Sequence, residues 1–417
     1  MLSFLKSYTK LDQNIRYLLF AILNMSILDG GVFLILNIYL SKLGFSDPQI
    51  ASYVSIQYLM SLVIAIPLGM YIQTRNLRPL FFIISLTYPL SIVLLLWMIS
   101  MGQTQLIYLC FAVLGLSLST RYVITIPYIL RNVNKEQHTE AISLNFASWS
   151  AGIVFGGLLI NILKRVNASY FSDDKMLICF CLFGFISLFS LLKIKGKENI
   201  PTAKENKNKL LDYDWRIIFK AASPILIIAT GAGLTIPFIN LFFYNSFGMD
   251  SDEFAILGVI TSLLIACGTL LTPKIKQRWG YQSVTVTQSL SIIALIGMAS
   301  ADFISHLQIG LYIAIIAFVL RQPLMNLANP MTSEMTMYYV GKKNQEIMSA
   351  LSSSIWAGSW FFSSLIFRYM RQLDISYGCI FYITSAMYVV GVFLYHLLIK
   401  DYYLLKGTQQ DNASMLQ

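Results

Sequence analysis

Apolar residues run along this chain in long unbroken blocks, without the alternation of a half-exposed strand or the three-and-four spacing of a surface helix. The block "PLFFIISLTYPLSIVLLLWMIS", residues 79–100, carries no charge, and roughly 18 consecutive apolar residues are enough to cross a bilayer as a helix. Similar blocks predict helices near 16–40, 50–72, 79–100, 105–130, 141–163, 176–193, 222–247, 254–272, 282–304, 308–336, 346–368 and 376–399. The expected fold is an all-α polytopic membrane protein of about twelve transmembrane helices. The longest polar interval, "KIKGKENIPTAKENKNKLLDYDWR" at 193–216, divides six helices from six and reads as a solvated linker. The expected organisation is a six-helix bundle over 1–192, the linker, and a second bundle over 217–417 ending in a short tail.

The second half repeats the first. Asn37 and Gly44 in "LILNIYLSKLGF" reappear as Asn240 and Gly248 in "PFINLFFYNSFGM", at offsets of 203 and 204. Gln73 and Gln277 are 204 apart, Arg121 and Arg321 are 200 apart, and Gly152 and Gly358 are 206 apart. Six helices separate equivalent points, so the two bundles have the same orientation. Parallel halves of this kind belong to transporters that bind substrate at the midplane.

Composition sharpens the picture. Only 12% of residues are charged and the mean hydropathy is +0.65, against about a quarter charged in soluble domains. The net charge of +10 is distributed by side. If the N-terminus is cytoplasmic, the loops and termini on that side hold 22 of the 30 Lys and Arg, the opposite side holds six, and Arg121 and Arg321 lie within helices. That is the positive-inside asymmetry. It places both termini in the cytoplasm, argues against nucleic acid as a partner, and fits the plasma membrane. Five cysteines all fall within predicted spans, so neither a disulfide framework nor a metal site is expected. No phosphate-binding glycine loop and no His-based catalytic set is present. An enzyme is not expected, nor a cofactor. The expected partners are the lipid bilayer, protons and a small-molecule substrate, with the chain a monomer.

Topology, the repeat and the basic loops after helices 2 and 8 resemble the Major Facilitator Superfamily over essentially the full length. The family's loop signature G-x-x-x-D-[RK]-x-G-[RK]-[RK] is met by Gly69, Arg75 and Arg78, with Gln73 at the Asp position and Asn76 at the second Gly. The second copy keeps Arg278 and Gly280, with Gln277 at the Asp position. The resemblance implies a cytoplasmic gate at these loops, which names Gln73, Arg75, Arg78, Gln277, Arg278 and Glu334 as gating residues. The neutral amides depart from a charge-based lock.

Charged residues at mid-depth are the informative ones, because each costs roughly 2.5–3.5 kcal/mol in a bilayer. Asp29 lies 13 residues past Arg16, roughly 20 Å into the membrane, and Arg121 lies ten residues before Arg131, roughly 15 Å in. Arg321 is 13 residues before Glu334. Asp29 and Arg121 read either as an ion pair that fixes helices 1 and 4, or as a pair whose separation lets Asp29 exchange protons. Multidrug exporters of the family are similar in having an acid in helix 1 and an arginine in helix 4. "GIVFGG" in helix 5 keeps their glycines and lacks their proline. Arg321 has no obvious counter-charge. Either it bonds to carbonyls freed near Pro323 or Pro330, or it grips an anionic substrate through its forked donor geometry. Polar side chains that would line the path are Asn37, Gln57, Tyr58, Thr125, Trp149, Asn240, Gln322, Asn326 and Trp356. The expected function is secondary active transport of a small organic solute, possessing an anionic group in one reading, by alternating access. Proton coupling and export are the preferred forms. A proton-independent anion uptake facilitator, a lipid flippase and a membrane scaffold are the alternatives.

Overall fold

The computed structural model describes residues 11–72, 75–133, 138–195, 198, 213–341 and 344–414, and every regular element among them is a helix. In chain order these are α1 (Gln13–Lys42), α2 (Asp47–Ile72), α3 (Arg78–Ser100), α4 (Thr104–Asn132), α5 (His138–Asn167), α6 (Asp173–Leu192), α7 (Trp215–Thr235), α8 (Ile239–Phe247), α9 (Ser251–Trp279), α10 (Gln282–Phe303), α11 (Gln308–Leu327), α12 (Asn329–Val340), α13 (Gln345–Gln372) and α14 (Tyr377–Ser414). Together they supply 12 stretches long and apolar enough to cross a membrane.

Two predicted helices are broken. The span Trp215–Phe247 passes through a 3-10 turn at Ile236–Phe238, where Pro237 has no N–H to continue the ladder. The span Gln308–Val340 divides at Ala328, just before the Asn329-Pro330 pair, where Pro330 has no N–H to donate to the carbonyl of Asn326 one turn back. Other boundaries move for local reasons. Asp214 caps α7 by accepting from the Ile217 N–H at 3.2 Å, which starts that helix at Trp215 instead of 222. Helix α9 runs on to Trp279, so Lys274, Lys276 and Arg278, expected in a loop, ride on its last turns.

The chain forms two compact units: Met1–Asn206 with Asn240–Leu263, and Lys207–Ile239 with Leu264–Gln417. In the first, α1 packs on α5 and α6, α2 on α4, and α3 on α4 and α6. The α1–α5 crossing depends on missing side chains. A Cβ at Gly152 would collide with the Ser26 backbone carbonyl, and one at Gly30 would lie 2.6 Å from the Gly152 oxygen. Close backbone approach through small residues is how helices associate where lipid supplies no hydrophobic drive. The segment Asn240–Leu263, second-half by sequence, packs in this unit through Gly258 on Leu34 and Gly157 on Ala255. In the second unit α7 packs on α13 and α14, and α10 on α11 and α14. Gly233, 203 residues after Gly30, makes the close approach to α13 at Trp360 and Ser363. Equivalent helices thus meet in both halves through equivalent glycines.

The start of the linker is not solvated as expected. Ile194 is buried and the Glu198 carboxylate is fully enclosed, 0% exposed.

Candidate functional site

The ionic centre of the first unit is the pair the sequence singles out. Asp29, midway along α1, accepts a hydrogen bond from Arg121 Nη2 on α4, and both side chains are at least 90% buried. The contact uses one atom from each group. Asp29 Oδ1 and Arg121 Nη1 are buried without a partner among the described residues, so the pair falls short of a two-pronged clamp. The Arg121 guanidinium sits over the Tyr122 ring, 5.0 Å from its centroid, and the Thr125 hydroxyl donates to the Arg121 carbonyl at 2.7 Å.

An aromatic shell surrounds the pair. Tyr88 on α3 is buried and acts on both Asp29 and Arg121. Tyr122 interacts with Tyr58 of α2 and bonds to Trp149 of α5. Tyr122 and Trp149 are themselves exposed on the surface of the unit. Of the residues the sequence singles out, Thr125 meets Arg121 directly, and Tyr58 and Trp149 meet Tyr122 beside it. Sequence reasoning missed Tyr88 and Tyr122, although Tyr122 adjoins Arg121 in "TRYV" and Tyr88 precedes a helix-interior proline. Gln57 is half-buried, its backbone carbonyl being the surface that Gly115 of α4 packs against.

The repeated asparagines meet each other. Asn37 Nδ2 donates to Asn240 Oδ1 at 3.3 Å, and Asn240 Nδ2 donates to the Phe33 carbonyl at 3.3 Å. One turn on, Ser41 donates to Asn245, which donates to Asp47. At the end of this ladder is a charged cluster that sequence reasoning did not assemble. Lys42 pairs with Asp173 at 2.7 Å and with Asp250, while Lys164 reaches Asp173 at 3.3 Å and Asp250 and Asp252 at 3.2 Å each. Burial pushes the Asp250 carboxyl up. The Lys42 hydrogen bond, the Ser251 N–H and Lys164 outweigh it and hold the group at about 2. The clue in the sequence was that Lys42 and Lys164 belong to the sparse basic set on the side opposite the linker.

In the second unit Arg321 on α11 is only 1% exposed. Its Nη2 donates to the Tyr388 hydroxyl on α14 at 3.3 Å, and its Nε and Nη1 are buried with no partner among the described residues. Its own carbonyl accepts from Ser291 of α10 at 3.3 Å. The position 203 after Asp29 is Ala232, so the repeat kept the cation and lost the acid. Gln322, Asn326 and Asn329 form a half-exposed ladder, Asn326 donating to the Gln322 carbonyl at 2.8 Å and Asn329 to Asn326 at 3.2 Å. Trp356 stacks edge-on with Trp360, centroids 6.3 Å apart.

The gating positions divide. Gln73 lies outside the described residues. Arg75 is exposed and covers the Tyr71 ring, whereas Arg78 reaches inward to the Tyr128 hydroxyl and the Lys195 carbonyl, each at 3.3 Å. Gln277 and Arg278 are exposed. Glu334 pairs with Lys276 at 2.5 Å, and that hydrogen bond raises the Lys276 ammonium above its ordinary range. Both partners are about a third exposed, so the pair contributes about 1 kcal/mol or less. Among the described residues no group of three or more His, Cys, Asp or Glu could hold a metal ion.

Comparison with solved structures finds the same fold at low sequence identity. A POT family transporter, PepTSo, superposes with a TM-score of 0.72 at 11% identity, covering 94% of this chain and 98% of that one. The nucleoside transporter NupG gives 0.69 at 14%, covering 93% and 99%. A bacterial homologue of the iron transporter ferroportin, in an inward-facing state, gives 0.71 at 15%, covering 94% and 98%. No curated protein matches the sequence. The model of the Major Facilitator Superfamily matches residues 18–364. With six-plus-six topology, the internal repeat and this match over most of its length, the chain belongs to the Major Facilitator Superfamily of membrane transporters.

Proposed function

We propose that the protein is a proton-coupled secondary active transporter that exports a small organic solute across the plasma membrane by alternating access, with both termini cytoplasmic. The observation that carries this reading is the Asp29–Arg121 pair. It is buried mid-helix, and carboxylate and guanidinium meet through one atom of each, with Tyr88 and Tyr122 against them and a carboxylate oxygen and a guanidinium nitrogen outside that contact. A pair kept only for packing gains most when every donor and acceptor is used. One joined through one atom of each group can be parted by a modest movement of α1 against α4. A carboxylate parted from its guanidinium in low dielectric takes up a proton in preference to staying charged. Its return to Arg121 releases that proton, which ties proton movement to conformation. The exposed Tyr122 and Trp149 beside the pair, with Tyr58, Gln57 and Thr125, would present the solute to the same centre.

Arg321 supports an anionic group on the cargo. Its Nε and Nη1 have no partner among the described residues; they lie on different edges of the guanidinium, so each can donate one charge-assisted hydrogen bond to a carboxylate or phosphate oxygen. Gln322, Asn326 and Trp356 would add polar lining in the second unit, and Asn37 and Asn240 in the first. Arg75, Arg78, Gln277, Arg278 and Glu334, with Gln73, would form the cytoplasmic gate. Solved proteins of this fold are named for nucleosides, for iron and for the POT family, cargo diverse enough that the fold itself selects none. A proton-independent anion facilitator is the competing reading that the same unpaired nitrogens favour.

The deciding experiment reconstitutes the chain in liposomes containing a pH-sensitive dye and screens organic anions and cationic drugs. Cargo movement should carry protons in wild type and not in Asp29→Asn. Cargo movement with no proton flux in wild type would select the facilitator instead.

A further inference from the structure

The α2–α3 loop carries a neutral residue, Gln73, where its motif has an acid, yet the structure places a fully buried carboxylate on that loop. It comes from the linker. Glu198 Oε2 accepts from the Leu77 N–H at 2.8 Å, and Oε1 accepts from Arg131 Nη1 at 3.1 Å. Leu77 precedes α3 and has no side-chain cap of its own. Glu198 therefore takes, from 121 residues away, the part that the N3 acid plays in a capping box, accepting from the N–H of the N-cap residue Leu77, with its charge at the positive end of the helix dipole. Arg131, at the end of α4, also donates to the Arg75 carbonyl at 3.0 Å and the Ile72 carbonyl at 2.7 Å. Nearby, Arg78 donates to the Lys195 carbonyl, and the Lys195 N–H donates to Asn14 Oδ1 at 2.9 Å, beside the start of α1.

A lone carboxylate does not stay at 0% exposure without such partners, because desolvating a charge costs several kcal/mol. Here one backbone donor and one guanidinium meet both of its oxygens. We propose that Glu198 is the positioning residue of this end of the first unit. It supplies the negative charge absent at position 73, locks the α2–α3 loop to the C-terminus of α4, and pins the beginning of the linker to the same point. Any transport step that moves the loop or the end of α4 must move the linker's anchor with it. The inference is independent of the role given to Asp29.

A relocation experiment tests it. The loop's motif has its acid at position 73, so the restoring variant returns the charge there. The full chain in nanodiscs is followed by hydrogen exchange of the amides within 77–80 (Leu77, Arg78 and Leu80, position 79 being proline) and 129–133, and by trypsin cleavage after Lys193 and Lys195. Glu198→Gln should speed exchange at 77–80 by about tenfold or more, and both exchange at 129–133 and cleavage several-fold. Adding Gln73→Asp to Glu198→Gln should restore slow exchange at 129–133 and leave the linker cleavable, since the charge has returned but the tether has not. Unchanged exchange and cleavage in Glu198→Gln would overturn the proposal, as would a double variant that regains no protection. If Glu198→Gln does not fold, Arg131→Lys should show the same pattern in weaker form. Wild-type exchange and cleavage in that variant would count equally against it.

Discussion

The two buried arginines should respond oppositely to the same substitution. Arg121→Met removes one partner of an ion pair whose side chains are 5% and 10% exposed. At roughly 3 Å and an effective dielectric near 20, the attraction is about 5 kcal/mol. Deleting one member of such a pair leaves the other charge stranded and typically costs about 3–5 kcal/mol. Arg321→Met removes a cation held by one phenol at 3.3 Å, whose ring centroid is 6.0 Å away at the edge of cation–π range. One hydrogen bond involving a charged group contributes about 1.5–3 kcal/mol, against a desolvation penalty of several kcal/mol. The isosteric apolar replacement should be neutral or stabilising by about 1–3 kcal/mol. Thermal unfolding in detergent reads the contrast. At about 1 °C per kcal/mol for a chain of this size, Arg121→Met should lower Tm by about 3–6 °C, while Arg321→Met should leave it level or raised. An anionic cargo should raise the Tm of wild type and fail to raise that of Arg321→Met. Equal losses in the two variants would mean that Arg321 has an acidic partner and would refute the argument built on its open nitrogens.

Other expectations follow from the same structure. In transport assays Arg321→Gln should impair anionic cargo far more than neutral cargo; equal impairment would remove the anion subsite. Asp250 is held at about 2, a folded-state value below the ordinary aspartate pKa of about 3.9. Its stabilising contribution is therefore complete above about pH 4 and lost as pH falls toward 2. Hydrogen exchange of amides 245–253 should be constant with pH, after correction for intrinsic rates, from 8 to 5, and loosening within that range would contradict the Lys42–Asp250 assignment. Gly152→Val, which drives a side chain into the Ser26 carbonyl, should abolish or sharply lower folded yield. Gly69→Ala, where a Cβ meets nothing within 4 Å, should leave yield and Tm unchanged; a Gly152→Val protein with normal Tm would disprove the tight α1–α5 crossing.

Residue order alone dictated the helices, their number and the duplication. Lipid leaves backbone groups no partner outside the helix, so an uncharged block such as 79–100 has one structural outcome, readable locally. It also pointed to Asp29 and Arg121 as partners, since neither charge is tolerable alone at that depth. Packing in three dimensions settled what depends on which face meets which. Pro67, Pro89 and Pro127 sit inside continuous helices, whereas Pro237 and Pro330 accompany breaks, and no local rule separates the two groups. Tyr88 and Tyr122 join the ion pair only because α3 and α4 turn those faces toward it. Glu198 was hidden most completely. It lies in an interval whose composition spells solvent, and its partners Leu77 and Arg131 are 121 and 67 residues away. Charge pairing across such distances is set by packing, which composition and periodicity do not encode.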